Sequence, residues 1–294
     1  MYTLNLSDNE FLNLKPFKLM EGTLEKESNM YFMPNNENEI IKIYKNYNDK
    51  DYINFKMKTI DNFMKFMSEY NFKELLKPNG ILKVNNEIRG VIYPKINGLT
   101  TRVYLNSNYT DIKTKITILK KIGLLLDKIK KTSPKYNAAF SDVHVDNFIV
   151  NDYSINDLSD ISITACDTDS MRVLDSNGVP GFYLYDAEKL EDFSKYEIDS
   201  NYNIIPNSNT DIYCYIMLIL DVISKSEYVF SLNIDEYNRY INYLKDNGLN
   251  DNLVDSFLSV YEDKDNISPL PYLDYLNDIN NDMDLVSFYK KRFK

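Results

Sequence analysis

The chain has no tryptophan, one histidine and two cysteines, and these scarcities close off several kinds of chemistry before any pattern is read. With His144 as the single imidazole, a histidine-dependent mechanism has one residue on which to centre, and a multi-histidine metal site is excluded. Cys166 and Cys214 each sit inside an apolar segment, with no C-x-x-C and no Cys/His cluster. Neither a disulfide framework nor a structural zinc site is expected, and the expected setting is the reducing cytoplasm. A basic stripe is also lacking. The 34 Lys and Arg stand against 44 Asp and Glu, a formal charge of −10, which disfavours nucleic acid as a partner. Met1-Tyr2-Thr3-Leu4-Asn5 has no basic stretch leading into an apolar core, so no signal peptide is expected. The longest apolar run, Ile212 to Ile223, is too short and too interrupted to span a bilayer, so no membrane partner is expected.

What is present is bulk and pattern. The 294 residues include 25 Tyr and 15 Phe, enough to fill a sizeable core. Abundant Asn, Asp, Lys, Ile and Tyr read first as the codon signature of an A/T-rich genome. Strand-like runs occupy the first hundred residues: Phe17 to Leu24, Met30 to Met33, Glu39 to Tyr44, Ile81 to Val84 and Ile88 to Tyr93. Pro34-Asn35-Asn36 and Asn85-Asn86 supply turns. Between the third and fourth runs, Asp51 to Tyr70 carries Tyr52, Phe55, Ile60, Phe63, Met64 and Met67 on a helical face. Tyr93 to Gly98 reads as a connector. Beyond it the chain turns helical. Asp111 to Lys131 is expected as a helix with Thr110 as its N-cap and Ile112, Ile116, Leu119, Ile122, Leu126 and Ile129 on one stripe. Thr210 to Ile223 is expected as a buried helix, followed by Asp235 to Lys245, Asn252 to Tyr261 and Leu276 to Phe293. The expected class is α+β.

The chemistry concentrates in Ser141-Asp142-Val143-His144-Val145-Asp146-Asn147-Phe148-Ile149-Val150 and in the later Cys166-Asp167-Thr168-Asp169. An Asp, an Asn five positions on, a short apolar run, and then a strand tipped by another Asp suits phosphates and magnesium. The first Asp can orient or deprotonate a hydroxyl. The amide oxygen and the later carboxylate are hard oxygen ligands of the kind Mg²⁺ prefers. A polar turn in an Asn/Asp-rich chain is the plain alternative, but the setting after a long amphipathic helix and before two strands speaks for the functional reading.

This pattern resembles the catalytic loop and metal-binding Asp of the protein-kinase-like superfamily. Its D-x-H-x-x-N form is closer to bacterial or phage kinase-like proteins and aminoglycoside-phosphotransferase-like enzymes than to the H-R-D form. The resemblance can be followed from about residue 15 to about residue 225. It implies a bilobal fold: an N-terminal ATP-binding lobe over 1–96, with a small antiparallel sheet and one helix, and a mainly helical C-terminal lobe over 97–294. It implies ATP and Mg²⁺ as cofactors, and as acceptor a protein Ser/Thr/Tyr or a small-molecule hydroxyl. Asp142 would be the catalytic base, and Asn147 and Asp167 the metal ligands. Lys42, in Ile40-Ile41-Lys42-Ile43-Tyr44, would grip the α and β phosphates, its alternative being a lysine on a strand's solvent face. The connector residues Tyr93, Lys95 and Ile96 would offer backbone groups to adenine. Asp211, heading the buried helix, would anchor the catalytic loop or simply cap its own helix.

The chain departs from the family in several places. The helix that should present a Glu to Lys42 offers Asp61 as its nearest acidic candidate, with Glu69 further along. The phosphate-covering loop is reduced to Glu21-Gly22-Thr23-Leu24-Glu25-Lys26. Phe140 and Ser141 replace the His and Arg of H-R-D, so control by a phosphorylated activation loop is not expected. Thr168 and Asp169 replace the Phe and Gly of D-F-G, and Asp169 would either add a carboxylate to the metal site or cap the following turn. The segment from Met171 to Pro206 has no A-P-E. Three other readings stay open: a pseudokinase binding module, a kinase-fold AMP transferase, and a glycosyltransferase D-x-D.

Overall fold

The computed structural model describes residues 1–17, 27–152, 158–179, 204–226, 228–262, 266–278 and 283–292. The chain is α+β and forms two compact units, Met1–Gly98 with Thr164–Asp169, and Leu99–Ile163 with Ser170–Lys294.

The first unit is built on a five-stranded sheet of β1 (Tyr2–Leu6), β2 (Ser28–Phe32), β3 (Glu39–Tyr44), β4 (Gly80–Val84) and β5 (Glu87–Pro94), in the order β1-β4-β5-β3-β2. The sheet is mixed rather than wholly antiparallel, because β1 runs parallel to β4. The expectation missed β1. It is a five-residue strand with only Leu6 buried, and it runs into the short helix α1 (Asp8–Leu12) through a capping box at Ser7 and Glu10. The first strand expected from the sequence, Phe17 to Leu24, lies outside the described residues after Phe17. Phe17 itself donates its N–H to the Met30 carbonyl at 2.8 Å, and Pro16 bridges Tyr31 antiparallel. The β4–β5 turn has Asn85 at φ 49° and Asn86 at φ 70°. Two left-handed residues are what a two-residue type I′ hairpin demands, and Asn accepts that conformation better than other side chains.

Strand alternation decides what β3 does. Ile41 and Ile43 join Leu6, Leu14, Leu82 and Ile92 in one core cluster. Lys42 and Tyr44 therefore point to the other face, where Tyr44, Val91 and Tyr93 pack with Ile53 and Ile60 of helix α2 (Lys50–Tyr70). Gly90 of β5 lies so close to β3 that a Cβ there would run into the Lys42 carbonyl. α2 starts at Asp49, whose carboxylate accepts the N–H groups of Asp51 and Tyr52, and stops at Asn71 in the left-handed conformation. Its buried stripe of Ile53, Ile60, Phe63, Phe66 and Met67 anchors it, each aromatic worth about 1.5–3 kcal/mol of burial. Leu76 N–H and the Glu74 carbonyl bond both sides of Ala165, which seats Thr164–Asp169 in this unit.

The second unit contains β6 (Leu99–Thr100), β7 (Phe148–Asp152) and β8 (Ser162–Ala165), which form a three-stranded sheet whose last two residues pass into the first unit. Its helices are α3 (Thr101–Leu105), α4 (Ile112–Tyr136), α5 (Ser208–Ser224), α6 (Ile234–Asp246), α7 (Asp251–Leu258) and α8 (Leu285–Arg292). α5 is buried from Thr210 to Ser224, as an almost wholly apolar helix must be. Against it lies Gly123 of α4, where a Cβ would come within 2.5 Å of the Tyr215 hydroxyl, which donates to the Leu119 carbonyl. α4 is capped by Asp111, not Thr110: the Asp111 carboxylate accepts Thr114 N–H at 2.9 Å. Ile116, Leu119, Ile122, Leu126 and Ile129 are buried, while Ile112, in the first turn, is exposed. The single helix expected over Leu276 to Phe293 divides. Leu270–Asp278 is 3₁₀, and α8 starts afresh where Asp284 accepts Ser287 N–H at 2.7 Å. Residues 279–282 and Phe293 lie outside the described residues. Among the described residues no helix is long and apolar enough to cross a membrane.

Candidate functional site

In the first unit the face shared by β3 and α2 holds a knot of charge. Lys42 is only 6% exposed, so it is not a solvent-face lysine. Its ammonium donates to Asp167 Oδ1 and, at 2.8 Å, to Asp169 Oδ1. Burial alone would push Lys42 down, but the two carboxylates reverse this and hold it well above the ordinary lysine range. Asp169 has no exposure. It accepts Tyr44 Oη at 2.8 Å and Tyr93 Oη at 3.0 Å, and Lys56 Nζ stands 3.8 Å away. Burial would raise Asp169, yet the Lys42 and Lys56 cations carry it well below the usual carboxylate range. Tyr44 and Tyr93 are pushed up by burial and by Asp169, so they stay protonated and serve as donors.

This arrangement differs from the one expected around Lys42. Asp61 is exposed on α2 and is not among the groups gathered at Lys42. Instead α2 presents Lys56, with no exposed surface, which bonds Glu27 Oε2 at 2.9 Å and approaches the Asp169 backbone carbonyl at 3.5 Å. The helix supplies a cation where a carboxylate was sought, and Asp169 supplies the carboxylate. Asp169 is therefore a buried counter-ion rather than a turn cap. Asp167 adopts φ 57°, a left-handed conformation that Asp tolerates better than most residues. Tyr93 contributes its phenol to the buried cluster. Lys95 spends its backbone N–H on the Asn38 carbonyl at 2.8 Å and lays its ammonium over the Phe32 ring. Ile96 is half-buried just beyond β5. The Gly22 loop from Glu21 to Lys26 lies outside the described residues. Cys166, beside Asp167, is pushed up to about 12 by burial and is a poor nucleophile.

In the second unit the stretch from Phe140 to Phe148 is shaped by its apolar members. Phe140, Val143, Val145 and Phe148 are buried, and the Phe140 and Phe148 rings lie 5.1 Å apart. Asp142, His144, Asp146 and Asn147 are left half-buried. Asn147 Nδ2 donates to the Asp142 carbonyl at 2.9 Å and to Asp142 Oδ2 at 3.0 Å. That fixes the amide so that Oδ1, the atom a hard cation would use, is not spent on Asp142. Asp146 is held bidentately by Arg102 of α3, with Nε and Nη2 each 2.8 Å from a carboxylate oxygen. Thr101 Oγ1 donates to the Val145 carbonyl at 2.7 Å, so two successive residues of α3 clamp the loop.

Asp211, in the first turn of α5, accepts Phe140 N–H at 2.7 Å through one oxygen and Ser141 N–H at 2.8 Å through the other. Burial pushes its carboxyl up to about 7, against the pull of the two amides. Ser141 sits at φ 77° and its Oγ accepts Arg172 N–H at 3.0 Å. Gly178, at φ 71°, lies against both, where a Cβ would come within 2.8 Å of Ser141 Oγ. The entrance to the loop is thus over-determined, as a strained backbone requires. Arg172 is itself buried, donating to the Pro206 carbonyl at 2.9 Å. Residues 180–203 of the expected activation segment lie outside the described residues.

The first unit thus gathers Lys42, Asp167 and Tyr93, and the second gathers Asp142, Asn147 and Asp211. The sequence reading missed Lys56, Arg102 and Asp146. Lys56 had a signal: it falls in the apolar stripe of α2 between Ile53 and Ile60. A charge at such a position must find a partner or not be buried. Arg102 and Asp146 carried none, since a bidentate pair between a short helix and a loop follows from tertiary placement alone. The Asn147 amide oxygen in the second unit and the Asp167 carboxylate in the first are each hard oxygen donors of the kind Mg²⁺ takes. Among the described residues there is no group of three or more His, Cys, Asp or Glu that would hold a metal by itself. Compared with models of protein families and with curated proteins, the chain matches none.

Proposed function

We propose that this protein is an ATP- and Mg²⁺-dependent phosphotransferase with the bilobal protein-kinase-like fold, acting on a protein or small-molecule hydroxyl. The observation that carries the reading is the pairing of Lys42 on β3 with Asp167, 125 residues further along the chain. In this reading Lys42 would neutralise the α and β phosphates, and Asp167 and Asn147 are the residues that would hold Mg²⁺, which when bound would supply positive charge to the transferred group. Asp142, fixed by Asn147, orients the acceptor hydroxyl and takes its proton. Asp211 keeps the loop in its strained conformation, so little reorganisation is left for the reaction itself.

A second reading, a pseudokinase binding module, is favoured by the double engagement of Lys42 with Asp167 and Asp169. Two of the three N–H donors of the ammonium are thereby engaged, which leaves one for a phosphate. Incubating the protein with Mg²⁺ and ATP labelled at either the γ or the α phosphate separates the readings. Label transferred from γ supports the phosphotransferase. Label from α indicates AMP transfer, and no label with no thermal shift by ATP indicates a scaffold.

A further inference from the structure

A cavity of about 160 Å³ opens in the second unit, lined by Leu105, Asn106, Lys115, Asp221, Lys225 and Ser226. A single water needs only about 10–15 Å³, so a small ion with several oxygens has room. Lys115 lies in the wall and is 9% exposed, while Lys225 is exposed at the C-cap of α5. Among the described residues neither ammonium has an ion-pair partner.

Lys115 is placed against three electrostatic costs. It is buried, it stands in the opening turn of α4 where the helix dipole repels cations, and it faces a second lysine. Burial and then Lys225 hold its ammonium below the ordinary lysine range. One negatively charged group seated between the two lysines removes all three costs together. Ser226 Oγ accepts Tyr228 N–H at 3.3 Å, which leaves its proton for a ligand, and the Asn106 amide adds a further donor. Asp221, 8% exposed, contributes one negative charge to the wall, so the lining carries a net charge of +1.

We propose that this cavity is a binding site for a small oxyanion, a carboxylate or phosphate group, held between Lys115 and Lys225 with Asn106 and Ser226 as further donors. The net charge of the lining matches a singly charged group. The site does not depend on the phosphotransferase reading, because none of its residues belongs to that machinery.

The test is calorimetric titration of the full chain with inorganic phosphate and, separately, with acetate, at ionic strength held constant with sodium chloride. Saturable binding of either anion is expected, and which one binds more tightly identifies the source of the oxyanion. Lys115→Met should weaken it at least about tenfold, the loss of one charge-assisted hydrogen bond, and Lys225→Met about threefold, as befits an exposed charge. Lys42→Met should leave this binding unchanged, which separates it from phosphate held at the candidate nucleotide residues. Without anion, Lys115→Met should unfold at or above the wild-type temperature, since it removes an unpaired buried charge. The proposal is overturned if neither anion gives saturable heat, or if Lys115→Met binds as wild type. Should Lys115→Met fail to fold, wild-type affinity in Lys225→Met overturns it equally.

Discussion

Asp169 in the first unit and Asp211 in the second are both buried carboxylates, with 0% and 3% of their surface exposed, and both hold a neighbouring group in place. Their surroundings differ. Asp169 faces two lysines and two phenols, and Asp211 faces two backbone amides. Cations overcome the burial penalty and depress Asp169, whereas amides do not overcome it and Asp211 ends near 7. Full charges with matching counter-charges can make a low-dielectric site stable as an ionised cluster. Dipoles fix geometry but leave the proton's position open.

The largest effect is expected at Asp169. Asp169→Asn leaves Lys42 and Lys56 buried without their shared counter-ion, and a loss of roughly 3–5 kcal/mol is expected in urea unfolding. Asp211→Asn keeps one carbonyl oxygen but turns an NH₂ toward a backbone N–H. A loss of about 1–3 kcal/mol is expected, with weaker hydrogen-exchange protection at Phe140 and Ser141. A loss at Asp211 equal to that at Asp169 would contradict the distinction between counter-ion and anchor.

The two carboxylates also respond oppositely to pH. Asp169 has a folded-state pKa below its unfolded value, so its contribution is present above about pH 4 and is lost as the pH falls through the depressed value. For Asp211 the folded value, about 7, lies above the ordinary 3.8. Its contribution is complete at acid pH and is lost as the pH rises through 7. Urea midpoints between pH 4.5 and 7.5 should therefore fall with rising pH, and Asp211→Asn should flatten that fall while Asp169→Asn does not. The smallest effect is expected from Lys56→Met, of the order of 1 kcal/mol, because an apolar chain of similar length replaces the stem and Lys42 still satisfies Asp169. A double-mutant cycle with Asp169→Asn measures how much of the cluster the helix cation carries.

Local pattern made part of this legible. The period of two in Ile40 to Tyr44 shows which residues share a face with Lys42, and the Asn85-Asn86 turn and the apolar run of α5 carry their structure in their residue types. The Asp142-to-Asn147 spacing likewise marks a loop whose two polar ends meet. What depended on distant partners was not legible. Asp169 reads locally as a turn residue, and only Lys42, 127 positions away, and the phenols of Tyr44 and Tyr93 make it a buried counter-ion. β1 alternates Tyr2, Leu4 and Leu6, but it is five residues long with only Leu6 buried, and its partner β4 lies beyond α1, two strands and α2. Asp61 was sought on α2 for its charge, although the apolar stripe of that helix leaves it facing solvent.

If Asp142 takes the acceptor's proton, as proposed, on a loop that Asp211 and Asn147 hold in shape, Asp142→Ala assayed with γ-labelled ATP and Mg²⁺ should transfer no label, while Mg²⁺-ATP still raises its unfolding temperature. Unchanged turnover in that variant would contradict that role for Asp142.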